Sequence, residues 1–255
     1  MCDMPYIFNI KSIVELINSF IIYNNYLLDC NKYLRSLKLK YYNFSKSNSL
    51  KYCNDAKFRE YVQSIISPNK ISLDFSYSNI SDVSMLGDIY ELNLTHCKNI
   101  TDVSMLGRVY NINLLCCNQI SDVSMLGGVH TLKLIGCNKI TDISMLGGVH
   151  TLYLNCCNKV SDISMLGNVK ILDLSCCSNI KDISMLGNLH TLNLSYCNQI
   201  TDVSMLGNLH TLHLICCQSV TDVSMLGRLH TLDLRWCDQI TDISMLENVN
   251  VIRRI

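Results

Sequence analysis

The string Ser-Met-Leu-Gly recurs at Ser84, Ser104, Ser124, Ser144, Ser164, Ser184, Ser204 and Ser224, and the series closes with Ser-Met-Leu-Glu at Ser244. The spacing is 20 residues every time, without an insertion. A strict period of that length describes a stack of equivalent units, none able to bury its apolar residues without its neighbours. The unit from Leu189 to Asn208 reads LHTLNLSYCNQITDVSMLGN. In it Leu192 and Leu194 alternate with Thr191, Asn193 and Ser195, the period of a strand with one buried face. One short strand per unit predicts a parallel sheet with strands about 4.8 Å apart. Val203, Met205 and Leu206 are expected to supply an apolar return side. Eight residues separate Ile200 from Leu209, too few for a helix with two connections, so a single turn of 3₁₀ type is expected. Asp202 is expected to cap that turn, and Gly207 to end it in a left-handed conformation. So short a return predicts a gently curved solenoid.

The first twelve residues of each unit have the form LxxLxLxxCxxI. That pattern resembles the leucine-rich repeat, in the variant where Cys replaces the usual Asn, and it covers residues 71–255 with nine consecutive matches. The resemblance implies an α/β solenoid with a parallel sheet on one face. Both ends depart from the pattern. The segment Leu73–Ile80 is one residue short and has Phe75 in place of the usual aliphatic residue. The segment Val249–Ile255 begins a tenth strand with Arg254 at an inward leucine position.

Exact repetition turns every position into a column. Cys97, Cys117, Cys137, Cys157, Cys177, Cys197, Cys217 and Cys237 form one. One thiol per layer does not converge as a tetrahedral metal site requires, so these are read as buried structural thiols. A second set, Cys116, Cys156, Cys176 and Cys216, is expected to be more exposed, with Cys156 and Cys176 in adjacent repeats the pair that oxidation would join. His130, His150, His190, His210 and His230 are read as a solvated row at the strand starts, predicting lower stability in mild acid. The aspartates from Asp82 to Asp242 are read as caps and the methionines from Met85 to Met245 as core filler. No nucleophile with a matched base and no phosphate-binding glycine loop occurs, so no enzyme, metal or cofactor is expected.

Positions the core does not dictate are where a partner would be read. On the exposed sheet face the candidates are Tyr153, Asp173, Tyr196, His213, Asp233, Arg235 and Trp236, the only tryptophan in the chain. Trp beside Arg has the composition of a binding hot spot. The alternative is that Trp236 covers the terminal repeat.

The first seventy residues lack the repeat. Apolar residues from Ile10 to Ile21 and from Leu27 to Leu39 have helical spacing. Ser45–Asn54 reads as a polar linker, and Ala56–Ile66 as an amphipathic helix capping the first repeat. Met4-Pro5, the first apolar helix and the string Leu27-Leu-Asp-Cys-Asn-Lys-Tyr-Leu34 resemble an F-box, a motif that often precedes leucine-rich repeats. The expected organisation is a helical F-box-like module over 1–45, a linker and capping helix over 46–70, and the solenoid over 71–255. The resemblance implies contact of Pro5, Leu16, Ile17, Leu28, Cys30 and Tyr33 with a Skp-type adaptor and, through it, a cullin ubiquitin ligase. The other reading of these helices is a plain cap, leaving a protein-binding scaffold unrelated to ubiquitin. The composition and near-identical repeats also resemble F-box and repeat proteins of giant amoebal viruses, which would place the chain in a host cytoplasm.

Charge narrows the partners. Lys+Arg and Asp+Glu both number 21, so nothing argues for nucleic acid or an anionic membrane. Residues 1–70 hold ten basic and five acidic groups, leaving eleven and sixteen for the remainder, a shift that marks two parts of different character. No apolar run reaches the roughly 18–20 residues of a membrane helix, and no secretory signal opens the chain. A monomer that binds protein, in a reducing compartment with free thiols, is the expectation.

Overall fold

The computed structural model describes residues 41–253. The two N-terminal apolar segments, Arg254 and all six residues of the F-box-like set lie outside them.

The described chain forms one parallel sheet of 11 strands in sequential order. The strands are β1 (Tyr42–Asn43), β2 (Ile71–Asp74), β3 (Glu91–Asn93), β4 (Asn111–Asn113), β5 (Thr131–Lys133), β6 (Thr151–Tyr153), β7 (Ile171–Asp173), β8 (Thr191–Asn193), β9 (Thr211–His213), β10 (Thr231–Asp233) and β11 (Val251–Arg253). From β3 onward the register pairs each residue with the one 20 positions on, as in Leu152↔Leu172 and Tyr153↔Asp173. Between β2 and β3 the offset drops by one, with Asp74 opposite Asn93, which is how the short first unit joins the stack. Phe75 is fully buried there.

The inward leucines at Leu92, Leu132, Leu172 and Leu212 are wholly enclosed, as are Leu106, Leu146, Leu186 and Leu226 on the return side. The return is a 3₁₀ turn in every layer, for example Ser204–Leu206. Its aspartate acts as expected, although from one position earlier than a cap. The Asp202 Oδ1 accepts the Ser204 amide at 2.8 Å, with Val203 between them.

Two expectations on this side fail. The methionines are not core: from Met105 to Met245 they are 57–62% exposed. In a turn this tight, valine or isoleucine and leucine already face inward, so the residue between serine and leucine is turned out. Gly207 is right-handed, with φ −64°. Glycine is needed there for closeness: a β-carbon on Gly207 would stand 2.3 Å from the carbonyl oxygen of Met225 in the next layer. The same approach recurs down the stack. Glu247 occupies the glycine position of the turn Ser244–Leu246.

The left-handed residue lies instead on the other side of the layer, just past the strand. Tyr77, His96, Cys116, Cys156, Cys176, Tyr196, Cys216 and Trp236 all have φ between 56° and 64°, and Gly136 has 70°. This residue turns the chain off the sheet while its amide still donates to the next layer, as Cys116 does to Ile135 at 2.8 Å.

The polar stretch read as a linker is a helix, α1 (Lys46–Asn54), followed by α2 (Ala56–Ile65). Ser49 fixes α1 to the sheet: its hydroxyl donates to Ser45 and accepts the Asp74 amide at 2.9 Å. Tyr52 is wholly buried, and Phe58, Val62 and Ile66 extend the same core. Asp55 caps α2 by accepting the Phe58 amide. Strand β1, with buried Tyr42, and the buried Phe44 just after it precede both helices, so the body that closes the solenoid begins ahead of residue 46.

Candidate functional site

The strand position between the two leucines divides by residue type. Where it is Asp or Asn, the side chain turns back on its own backbone. Asn93, Asn113, Asp173, Asn193 and Asp233 each accept the amide two residues on through Oδ1, and so hold the left-handed turn in place. Asp173 also accepts the Asn193 amide group at 3.1 Å through Oδ2. Lys133, Tyr153 and His213 have no such bond and face outward, half-buried, with the Lys133 ammonium 5.4 Å from the Tyr153 ring centre.

This division corrects one candidate directly. Asp233 is wholly buried. Its carboxylate takes a two-pronged bond from Arg235, Nε to Oδ1 at 2.9 Å and an Nη to Oδ2 at 2.8 Å. His213 Nδ1 lies 3.7 Å away and Arg253 3.8 Å away. Burial raises the Asp233 pKa, but Arg235 and His213 outweigh it and hold the carboxyl below its usual 3.8. Asp233 therefore organises Arg235 and His213 rather than meeting a partner itself.

The rim of left-handed residues presents the rest. Tyr196 and Trp236 are 51% and 52% exposed, two layers apart with Cys216 between them. Tyr153 and Asp173 are register partners toward the middle of the sheet. The seven candidates thus fall into two groups, an aromatic and ionic end where His213, Arg235, Trp236 and Tyr196 surround the buried Asp233, and a central pair.

The column one residue beyond the rim is closed. Its eight cysteines are at most 4% exposed. Each thiol donates to the carbonyl of the second inward residue one layer back, as Cys177 does to Leu154 at 3.1 Å. Burial pushes these thiols up, Cys157 and Cys197 to about 11 and Cys177 and Cys217 to about 12. Among the described residues no three His, Cys, Asp or Glu side chains converge as metal ligands, and no helix is long and apolar enough to cross a membrane.

The histidine row is stacked rather than merely solvated. Tyr90, Tyr110, His130 and His150 lie face to face at 4.4–5.2 Å, and His190, His210 and His230 form a second stack at 4.5–4.6 Å. Lys170 stands in the column between them. In both stacks the Nδ1 is held by the next threonine hydroxyl, at 3.1 Å in His210. Residue identity alone does not reveal this stacking, because it follows from the layer spacing.

Short strands in sequential parallel order, one tight return per 20 residues and a buried cysteine column together define a leucine-rich-repeat solenoid, a fold that generally serves as a non-catalytic binding scaffold. The family model for the Leucine Rich repeat matches residues 188–206 and 229–246. Comparison with curated proteins finds no match. Among solved structures, an internalin (InlF) from Listeria monocytogenes superposes with a TM-score of 0.59 at 24% identity, covering 80% of this chain and 66% of that one. This chain therefore spans a little under two thirds of that internalin. Internalin C2 of the same organism gives a TM-score of 0.45 at 22% identity, covering 71% and 80%. The Rad7–Elc1 complex in yeast gives 0.46 at 18% identity, covering 76% and 57%. The InlF likeness bears on the fold.

Proposed function

We propose that this chain is a non-catalytic protein-interaction adaptor. A target protein sits on the sheet face and rim, held chiefly at the C-terminal end by Tyr196, His213, Arg235 and Trp236, with Tyr153 and the Asp173 layer flanking. The observation that carries this reading is the pairing of two half-exposed aromatic rings on one rim with a pre-ordered guanidinium. Aromatic residues and arginine give the most binding energy per residue, and a side chain already held in place loses less entropy on binding.

The finer reading is an F-box substrate receptor in the cytoplasm. Pro5, Leu16, Ile17, Leu28, Cys30 and Tyr33 would engage a Skp-type adaptor, and a cullin ligase would follow. That half rests on the sequence resemblance of residues 1–45. It is supported by the division of labour at the N-terminal end, where β1, α1 and α2 already cover the first repeats with Tyr42, Phe44, Tyr52, Phe58 and Val62. Its mechanism is proximity, raising the local concentration of target lysines near a charged conjugating enzyme.

The full chain and residues 41–255, which retain the cap, are each mixed with a purified Skp-type adaptor and cullin. Retention of the full chain alone, lost with Leu28→Glu, is expected. No retention of either while both melt cooperatively overturns the adaptor half and leaves the scaffold. A doubly substituted Tyr196→Ala, Trp236→Ala chain is expected to lose at least tenfold in affinity for any target the wild type holds. Unchanged affinity would reject the rim.

A further inference from the structure

Along the rim, Cys116 is followed by Gly136, then come Cys156 and Cys176 side by side, then Tyr196, Cys216 and Trp236. Only Cys156 and Cys176 occupy neighbouring layers. Both are exposed and both are free thiols. Their backbones are alike, with φ 61° and 60°, and they are tied in register by the Cys156 amide donating to Ser175 at 3.0 Å. Equivalent residues of adjacent layers stand about 4.8 Å apart, inside the Cα separation a disulfide accepts.

The rim itself measures how far the sulfurs must move. A β-carbon placed on Gly136 would lie 3.4 Å from the Cys116 Sγ one layer away. Across a disulfide the same β-carbon to sulfur separation is about 3.0 Å, given a bond of about 2.04 Å. The spacing of rim layers thus already brings a β-carbon and the neighbouring sulfur to within a few tenths of an ångström of their separation in a disulfide, and rotation of the exposed side chains about χ1 completes the approach of the two sulfurs. Partial burial and the neighbouring Cys156 thiol push the Cys176 thiol up.

We infer that Cys156 and Cys176 form a dithiol–disulfide couple on the exposed rim, with a hydroperoxide as oxidant. One thiolate attacks a peroxide oxygen, the O–O bond breaks, and a sulfenic acid forms as hydroxide leaves and takes a proton. The second sulfur displaces the sulfenic hydroxyl as water and the S–S bond closes. Two thiols lose two electrons and two protons while hydrogen peroxide becomes two waters. The couple rests on its own geometry and not on the target reading. Cys116 and Cys216 lack a neighbouring thiol, and the buried column is sealed from the oxidant, so neither set competes.

The full chain is treated with hydrogen peroxide under native conditions, remaining thiols are alkylated, and peptides are mapped. Lys159, Lys170 and Lys181 place the two cysteines on different tryptic peptides. A single cross-link between those peptides is expected, reversed by dithiothreitol and abolished by Cys156→Ser and by Cys176→Ser, with Cys116 and Cys216 unpaired. Separate alkylation or separate sulfinic acids at Cys156 and Cys176 would overturn the couple. So would a cross-link that persists in either serine variant.

Discussion

Cys176 and Cys177 are neighbours in the chain, yet the first stands in solvent on the rim and the second is enclosed with its thiol donating to Leu154. The same opposition recurs on the return side, where Met165 is 59% exposed and Leu166 is wholly buried. In a solenoid the environment changes by a full half-turn from one residue to the next, because each turn is a single sharp corner. Residue type does not decide the outcome. The direction of the corner does, and the next layer then seals what faces inward.

The sharpest way to break this comparison is on the return side. Leu166→Ala is expected to cost about 2–5 kcal/mol through transfer and cavity effects, whereas Met165→Ala stays within about 0.5 kcal/mol, both by urea unfolding. Comparable losses would mean that the methionine ridge is packed after all. Gly187→Ala comes next. Its β-carbon would stand 2.6 Å from the Met205 carbonyl oxygen, and spreading two layers is expected to cost about 1–3 kcal/mol. Glu247→Ala, at the equivalent place but with an exposed side chain, is expected to change stability by less than about 0.5 kcal/mol.

The cysteine pair gives a similar but smaller contrast. Cys177→Ala leaves a small cavity and removes a buried donor, an expected loss of about 1–2 kcal/mol. Cys176→Ala is expected to fall within about 0.5 kcal/mol. The smallest effect lies in the histidine stacks. Partial burial and the adjacent imidazoles push His130 and His210 below the usual 6.5. The unfolded chain therefore takes up protons first as pH falls through 6.5, and stability is lost between that pH and the lower folded values. The melting temperature is expected to fall between pH 7.5 and 5.5, and to fall less in His210→Gln. The caps act in a lower window. The Ser amides hold Asp82, Asp142 and Asp202 below 3.8, so their contribution persists at pH 5.5 and is lost as pH drops from about 3.8 through the lower folded values. A flat profile down to pH 5.5 would discard the histidine contribution.

The burial of the cysteine column, the strand at each leucine pair, the 3₁₀ return and the aspartate at its start were all legible in the sequence, because each follows from spacing within one 20-residue unit. The exposed character of the second cysteine set was legible for the same reason. The methionine ridge was not. Variation is the usual mark of an exposed position, and near-perfect repetition removes it, so an invariant exposed column looks like an invariant core. Asp233 misled in the opposite direction: it varies within its column, which suggests a free surface, but Arg235 and His213 close over it.

By itself the sequence determined the period, the parallel stacking order and the identity of the sealed columns, since alternation of apolar residues and a return too short for a helix admit one kind of layer. Tertiary structure decided whatever depends on the distance between layers. It set the glycine by the approach of the next Met carbonyl. It brought the histidines into stacks and Cys156 to Cys176, and turned a polar stretch into α1 because Tyr52 and Ser49 have a sheet edge to meet. Those contacts join residues 20 or more apart, and they exist only once neighbouring layers have closed on one another.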